Sequence, residues 1–295
     1  PNGLINLKKT DNFGLIITYE QSELTINGFP DDEFPALPQI YHNDYLQGQF
    51  NQGMLKKMIK QTAIAASTDE SRPVFTGTLL EILDNKVTMV TTDTHRLALR
   101  RGYWQGNTQD EKISVIIPTK TMVEISRIIS EEDETVNFIF DQNQVCFSFG
   151  SINFFSRVIE GQYPSYNQVI PDVKRCKSRI RIKTRKLLEI TERASLLVRD
   201  ELKEKISLIK LNFHDDTLEI SSYSPEVGKI YEEMTVFLEG EPTEINFNSR
   251  YLIDALKSVE AEEIYMELTG SLSPGIIRTV ENDDYIYLIL PVRTS

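Results

Sequence analysis

An order of elements repeats along the chain at an interval of about 130 residues, and this repeat constrains the fold more than any other feature. Lys120 in PTKTMVEI corresponds to Arg250 in NSRYLIDA, and 250 − 120 = 130. Tyr163-Pro164 corresponds to Phe34-Pro35, and 163 − 34 = 129. A fixed offset of this size indicates a chain built from copies of one domain. The alternative is a chance similarity between two segments that each mix helices and strands.

Within each copy, the apolar periodicity predicts two helices and two small antiparallel sheets, so the fold class is α+β with repeated domains. The predicted helices are NQGMLKKMIKQTAIAAS, PTKTMVEISRIIS with Pro118 in its first turn, RKLLEITERASLLVRDE and NSRYLIDALKSV. VFTGTLLEIL and VTMVTTD are among the predicted strands. The repeat divides the chain into the closing part of a first domain (1–40), a central domain (41–172) and a C-terminal domain (173–295). Because residues 1–40 hold only about a third of a copy, we expect the natural protein to be longer.

The composition argues against several classes of protein. The net charge of −12 argues against simple adhesion of the whole surface to nucleic acid or anionic lipid. No apolar run approaches the roughly 18 residues of a membrane span, and no charged-then-apolar leader opens the chain. Cys146 and Cys176 stand apart without a Cys/His cluster, so we predict no disulfide framework, no zinc site and a reducing cytoplasm. Glycine-rich phosphate loops are absent, and we predict no cofactor.

Basic residues concentrate on the predicted helices, on the faces opposite their apolar stripes. Acidic residues fall instead in loops such as SEEDE and EGEPTE, so we expect one positive face on an otherwise negative molecule. Such a face could follow a phosphate backbone without reading bases, although solvated surface charge is the simpler alternative. The same helices also carry Lys183, Arg199 and Lys257. The candidate DNA-binding residues are Lys56, Lys57, Lys60, Lys120, Arg127, Arg185, Lys186, Arg193 and Arg250.

The stretch VTMVTTDTHRLALR, residues 87–100, places polar groups between two apolar strands, where packing alone does not require them. Asp93 and His95 could form the catalytic dyad of a hydrolase, with the carboxylate orienting the imidazole. No GxSxG motif and no reactive cysteine accompany them, and a lone histidine near an aspartate more often stabilises a turn. The stretch is otherwise interpreted as one wall of a recognition pocket.

The C-terminal segment YIYLILPVRTS alternates Leu288, Leu290 and Val292 as a strand does, with Pro291 confined to an edge or a bulge. A tail of this kind either docks against another part of the molecule or forms an ordinary closing edge strand.

The segments TTDTHRLAL, SRPVFTGTLLEI, EGQYPSYNQVIP and YLILPVRTS together resemble the bacterial sliding clamp, the β subunit of DNA polymerase III. The resemblance covers essentially the whole chain, with the motifs in the expected order. It implies three similar domains per chain, a head-to-tail homodimeric ring around duplex DNA when the chain is full length, and no catalytic activity. It also implies partners that bind through short linear peptides, namely the α-type subunit of DNA polymerase III, the clamp loader, other DNA polymerases and repair proteins.

The resemblance assigns the polar turn and the C-terminal tail to one peptide-binding groove. An apolar cleft of this kind takes Leu or Phe anchors, while a few polar groups hold the peptide backbone. Asp93 is predicted to brace the turn. The residues that correspond by position are Phe75, Thr92, Thr94, His95, Arg96, Leu97, Pro164, Val169, Asn248, Tyr251, Leu288, Leu290, Pro291, Val292 and Arg293.

Three positions depart from the family pattern. Gln168 stands where an arginine is common, and Leu290 and Val292 replace methionines, which gives stiffer groove walls. We expect partner preference to differ accordingly. A peptide-binding hub without a DNA function remains an alternative at this point.

Overall fold

The computed structural model describes residues 3–34, 46–106, 112–130, 134–141, 143–196 and 207–293. Pro35, Arg199 and the predicted end of the third helix lie outside these ranges. The chain divides into two units, Pro1–Asn43 and Asp44–Ser295.

The first unit contains one antiparallel sheet in the strand order β1-β2-β3. The side chains of β1 and β3 are exposed, and those of β2 are half-buried. A 3-10 turn follows at Asp31–Glu33. The strands are β1 (Asn6–Lys9), β2 (Leu15–Tyr19) and β3 (Ser22–Ile26).

The second unit carries the remaining strands and the four helices described. Its helices are α1 (Gln52–Thr62), α2 (Thr119–Ile128), α3 (Thr184–Ser195) and α4 (Ser249–Ser258). The strands before residue 160 are β4 (Leu46–Asn51), β5 (Gly77–Leu83), β6 (Lys86–Thr92), β7 (Arg96–Tyr103), β8 (Gln105–Gly106), β9 (Ile113–Pro118), β10 (Thr135–Asp141), β11 (Gln144–Phe149) and β12 (Ile152–Arg157). The later strands are β13 (Ser178–Lys183), β14 (Leu208–His214), β15 (Thr217–Ser224), β16 (Gly228–Thr235), β17 (Phe237–Gly240), β18 (Thr243–Asn248), β19 (Glu263–Leu268), β20 (Gly275–Thr279) and β21 (Tyr285–Ile289).

These strands form three antiparallel sheets in the second unit. A five-stranded sheet has the order β12-β11-β10-β4-β8, and a four-stranded sheet has the order β16-β15-β14-β18. The largest sheet has nine strands in the order β17-β13-β19-β20-β21-β7-β6-β5-β9. Its first five strands come from the predicted C-terminal domain and its last four from the predicted central domain, so this sheet crosses from one domain to the other.

The crossing point is the antiparallel pairing of β21 with β7, which we call the seam. Leu288 lies opposite Leu97, and Ile286 lies opposite Leu99. Because β21 also pairs with β20 on its other side, it is a central strand. The alternative of a closing edge strand is therefore wrong. The strand ends at Ile289, so the alternation predicted through Leu290 and Val292 is also wrong.

Apolar side chains at helical spacing explain where the helices pack. Leu55, Met58 and Ile59 of α1 are buried in the core between the five-stranded and nine-stranded sheets. Phe138 fills the same core, with its ring centroid 5.5 Å from Phe50 and 5.0 Å from Phe147. In the C-terminal half, a second core packs α3 and α4 on the sheets in the same way.

The strand registers confirm the repeat. Gly77 on β5 pairs with Pro118, and Leu208 on β14 pairs with Asn248. Pro118 and Asn248 are the N-caps of α2 and α4. The offsets are 208 − 77 = 131 and 248 − 118 = 130. Chance similarity does not explain two strand pairings that lead into a helix at the same point.

Two local predictions are corrected. The stretch predicted as the start of a strand at VFTG is a 3-10 helix, Pro73–Thr76, in which Phe75 N donates to Arg72 O at 3.0 Å. Proline supplies the fixed φ and lacks the N–H that a strand would use. Pro118, predicted in the first turn of a helix, is the N-cap of α2 and the last residue of β9, with an extended ψ of 126°.

Leu99 offers a direct test of the seam because it is fully buried in β7 against Ile286. Leu99→Ala is expected to lower the free energy of unfolding by about 2–5 kcal/mol through lost burial and a residual cavity. Leu83→Ala is the matched control at a side chain that is 44% exposed, with an expected change of about 0.5 kcal/mol or less. Urea denaturation followed by circular dichroism measures both. Equal changes in the free energy of unfolding of the two variants would show that packing at the seam does not contribute to stability as described.

Candidate functional site

The polar turn between β6 and β7 is held by its own side chains. Asp93 Oδ1 accepts hydrogen bonds from His95 N at 2.9 Å and Arg96 N at 3.0 Å. Thr92 Oγ1 donates to Arg96 O at 2.6 Å and accepts from Thr94 N at 3.2 Å. Thr94 has a φ of 80°, an unusual value for a β-branched residue, which these bonds stabilise. Asp93 therefore braces the turn, as the sequence predicted, and leaves the side chains of Thr94 and His95 exposed.

Arg96 connects this turn to the other side of the seam. Its Nε lies 3.0 Å from Asp93 Oδ2, and its Nη1 lies 2.6 Å from Asp254 Oδ2 on α4. Nη1 also lies 3.4 Å from the hydroxyl of Tyr287 on β21. Burial alone would lower the pKa of Arg96, but Tyr287 and the two carboxylates raise it overall. The guanidinium thus remains charged and ties the turn to two elements of the C-terminal half.

The aromatic ring of Tyr251 lies over this ion network. The guanidinium carbon of Arg96 is 4.4 Å from the centre of the Tyr251 ring, a cation–π contact. The His95 ring is stacked against the same tyrosine, with centroids 6.5 Å apart and an angle of 21°. Asn248 fixes the start of α4 by accepting from Arg250 N at 3.0 Å. One rim of the site is thus the stacked pair of His95 and Tyr251.

The C-terminal tail runs along the same turn after β21 ends. Leu290 N donates to His95 O at 2.9 Å, and Val292 N donates to Asn246 O at 2.8 Å. Leu290 remains 39% exposed, while Pro291 and Val292 are half-buried and Arg293 is exposed. Since Pro291 follows the strand, its missing N–H interrupts no strand pairing. The tail docks, as one of the two sequence interpretations expected.

An apolar cluster forms the floor between the turn and the tail. Leu97 and Leu288 are register partners across the seam, and both are buried in one cluster with Tyr166. Val74 and Tyr163 pack against this cluster from outside the sheet. The pKa of Tyr166 is raised mainly by burial and also by the Glu81 carboxylate. The Tyr166 hydroxyl donates to Glu81 Oε2 at 2.5 Å, so the side chain is neutral and held in place.

Three predicted groove residues lie beside this cluster rather than in it. Phe75 is half-buried on the 3-10 helix after Val74, with the Arg72 guanidinium 5.3 Å from its ring centre. Pro164 and Val169 are exposed on the segment that Tyr166 anchors. The turn, the tail and Tyr251 are therefore brought into direct contact, whereas Phe75, Pro164 and Val169 are carried there by buried neighbours.

The geometry does not favour the hydrolase alternative. The Asp93 carboxylate is occupied by two backbone N–H groups and by Arg96. The His95 ring faces Tyr251 and not this carboxylate. A carboxylate used in this way does not orient an imidazole for proton transfer.

Sequence analysis missed Asp254 and Tyr287, which hold Arg96 in place. A signal existed for Asp254, because it follows Tyr251 by three residues and so shares its side of a helix. Tyr287 carried no comparable signal, since its place beside Arg96 depends on the seam.

The helices of the second unit form a row in the order α2, α1, α4, α3, because α1 contacts both α2 and α4, and α3 contacts α4. Lys120, Arg127, Arg185 and Arg250 are exposed on these helices. No acidic side chain within the described part of the chain lies at ion-pair distance from Lys186 or Arg250. Lys56 donates to Ile129 O at 3.0 Å.

The surface of this helix row is mixed in charge, which corrects the expectation of a uniformly positive face. Among the described side chains, at least five of the nine candidate cations lie beside carboxylates, two of them within the same helix. The pairs are Lys57–Glu260 at 2.7 Å, Lys120–Glu70 at 3.3 Å, Arg127–Glu124 at 2.5 Å, Arg185–Glu189 at 3.1 Å and Arg193–Glu232 at 2.6 Å.

No cluster of three or more His, Cys, Asp or Glu side chains in the described ranges is arranged to hold a metal ion. None of the helices in these ranges is long and apolar enough to cross a membrane.

The second unit thus consists of repeated α+β segments that share a sheet and carry a row of helices, and the polar turn meets the C-terminal tail at the seam. The family model described as the central domain of the DNA polymerase III beta subunit matches residues 49–165. The model of the C-terminal domain of the same subunit matches residues 167–293.

Individual relatives agree with these matches. The beta sliding clamp of Staphylococcus aureus is 37% identical over 295 residues, covering 100% of this chain and 76% of the relative. The crystal structure of the DNA polymerase sliding clamp from Bacillus subtilis superposes with a TM-score of 0.89 at 36% identity, covering 99% of this chain and 75% of that one. The crystal structure of the DNA polymerase III subunit beta from Pseudomonas aeruginosa superposes with a TM-score of 0.87 at 27% identity, covering 98% of this chain and 77% of that one.

The chain therefore belongs to the family of DNA polymerase III beta subunits, the DNA sliding clamps.

Proposed function

We propose that this chain acts as a non-catalytic processivity factor that closes as a homodimeric ring around duplex DNA and tethers a replicative polymerase to it. The proposed partners are the α-type subunit of DNA polymerase III, the clamp loader, other DNA polymerases and repair proteins. We also propose that it acts in the cytoplasm, as a DNA replication protein of this family would. The observation that carries the peptide part of this proposal is the buried pair Leu97–Leu288 beside the exposed Leu290.

The groove offers anchors of two kinds to a short peptide. Leu97, Leu288 and the exposed face of Leu290 provide an apolar floor for a Leu or Phe side chain. His95 and Tyr251 provide a flat aromatic rim. Apolar surface that remains exposed next to a fixed polar network is typical of a protein-interaction site.

The tail also limits how a peptide can bind. Leu290 N and Val292 N already donate inside the protein, and Pro291 has no N–H. The tail therefore presents few backbone donors for the addition of a strand. We infer that partners are recognised mainly by side-chain anchors and less by β-augmentation.

Arg96 contributes to peptide binding mainly by fixing the turn against α4 and β21, and less by contacting the peptide. Its side chain is only 11% exposed, and its guanidinium is shared among Asp93, Asp254 and Tyr251. A rigid rim lowers the entropy lost when a peptide binds.

The DNA part of the proposal is supported by the row of four helices and its exposed cations. Lys186 and Arg250 form no ion pair with a carboxylate in the described part of the chain. Contacts of this kind bind phosphates without reading sequence and weaken as salt increases. Such contacts suit a protein that slides.

His95→Ala tests the groove. Loss of the stacked rim is expected to weaken binding of a synthetic peptide from the C-terminus of a polymerase α subunit by about 1–2 kcal/mol, roughly five- to thirtyfold. His214→Ala, on β14 of the four-stranded sheet, is the matched control and should bind normally. Fluorescence anisotropy measures both affinities.

The same samples test the hydrolase alternative by mass spectrometry of the peptide. Intact peptide with every variant is expected. Cleavage by the unmodified protein that disappears with His95→Ala would contradict the groove assignment.

Lys186→Glu combined with Arg250→Glu tests the helix row. The double variant is expected to bind a short fluorescent duplex more weakly, with the slope of log K against log salt shallower by about 1.8, or 0.9 per lost contact. Lys229→Glu, on the opposite face of β16 from the helices, is the control and carries the same charge change as each single replacement. An unchanged double variant would contradict the assignment of this surface to DNA.

A further inference from the structure

The carboxylates on the helix row are supplied in part by distant segments of the chain. Glu260 follows α4 and reaches Lys57 on α1, while Glu192 on α3 reaches Lys257 on α4 at 2.7 Å. Such pairs place a negative charge beside cations that would otherwise face a phosphate backbone alone.

The contact between Arg193 and Glu232 has the most specific geometry. Arg193 Nε donates to Glu232 Oε1 at 2.8 Å, and Arg193 Nη2 donates to Glu232 Oε2 at 2.6 Å, which makes the contact bidentate. The pairing lowers the pKa of the Glu232 carboxyl, so the group is ionised near neutral pH. The guanidinium of Arg193 is nevertheless half exposed and accessible from solvent.

Strand alternation explains why Glu232 faces the helices. On β16, Met234 is buried in the core that contains α3, and Glu232 points to the same side because alternate residues share a face. Glu233 points to the opposite side, where it hydrogen-bonds the Tyr231 hydroxyl. Two adjacent glutamates on one strand thus differ in whether they reach the helix row.

We infer that the glutamates on the helix row compete with DNA phosphates for its cations and so limit how tightly the clamp holds DNA. A cation that keeps its carboxylate adds no phosphate contact and releases no counterion, so it does not contribute to the salt-dependent affinity. Exposed ion pairs are weak and exchange readily, so each remains available as a transient contact during sliding. This inference rests on the proposed function of the helix row as the DNA-facing surface.

Glu232→Gln tests the inference, with Glu233→Gln as a control that makes the same charge change one residue away. Releasing Arg193 is expected to steepen the slope of log K against log salt by about 0.9 for a short duplex, and to tighten binding about eightfold at roughly 0.1 M salt. Glu233→Gln should leave both quantities unchanged. If the two variants bind alike, the inference is overturned.

A second variant guards against an effect on folding. Glu189→Gln releases Arg185 from a solvated pair within α3, which the fold does not need, and should steepen the slope in the same direction. The inference is overturned if Glu232→Gln and Glu189→Gln both leave the slope unchanged and the double variant Lys186→Glu with Arg250→Glu still weakens binding. If that double variant also has no effect, the assignment of the helix row to DNA fails instead.

Discussion

The pairing of β21 with β7 is the interaction on which the rest of the structure depends. It converts the sheets of two domains into one nine-stranded sheet. It also places Leu288 opposite Leu97, so that a buried apolar pair forms where the domains meet. The chain that leaves β21 then runs along the turn at His95, where Leu290 N finds its acceptor. Without this pairing, the turn and the tail that form the proposed groove would not meet.

The sequence could predict much of this architecture because its signals are local. Apolar residues at helical spacing located α1 to α4, and the offset of about 130 residues indicated that the order of elements repeats. The resemblance to sliding clamps collected the turn, the tail and Tyr251 into one groove, and the structure brings these three into contact. The three-domain boundaries and the roles of individual groove residues remain predictions.

Other features could not be read from the sequence because they depend on distant partners. The register of β21 on β7 joins residues about 190 positions apart, and no local pattern specifies it. The alternation that suggested a strand through Val292 gave no sign that Ile289 ends it. The charge of the helix row also could not be predicted from local patterns. The basic residues lie at helical spacing, but Glu232 and Glu260, which pair with two of them, lie outside the helices. The spacing of basic residues in the sequence therefore overestimates the positive electrostatic potential at the surface proposed to face DNA.

Topological retention on DNA tests the central claim most directly. The protein is assembled on a nicked circular duplex with its clamp loader and ATP, separated from free protein by gel filtration, and measured again after the circle is cut once. If it is a sliding clamp, it remains with the circle at a salt concentration that abolishes its binding to short duplexes, and it is lost after the cut. Equal retention on circular and linear DNA, or no retention on the circle, would contradict the account.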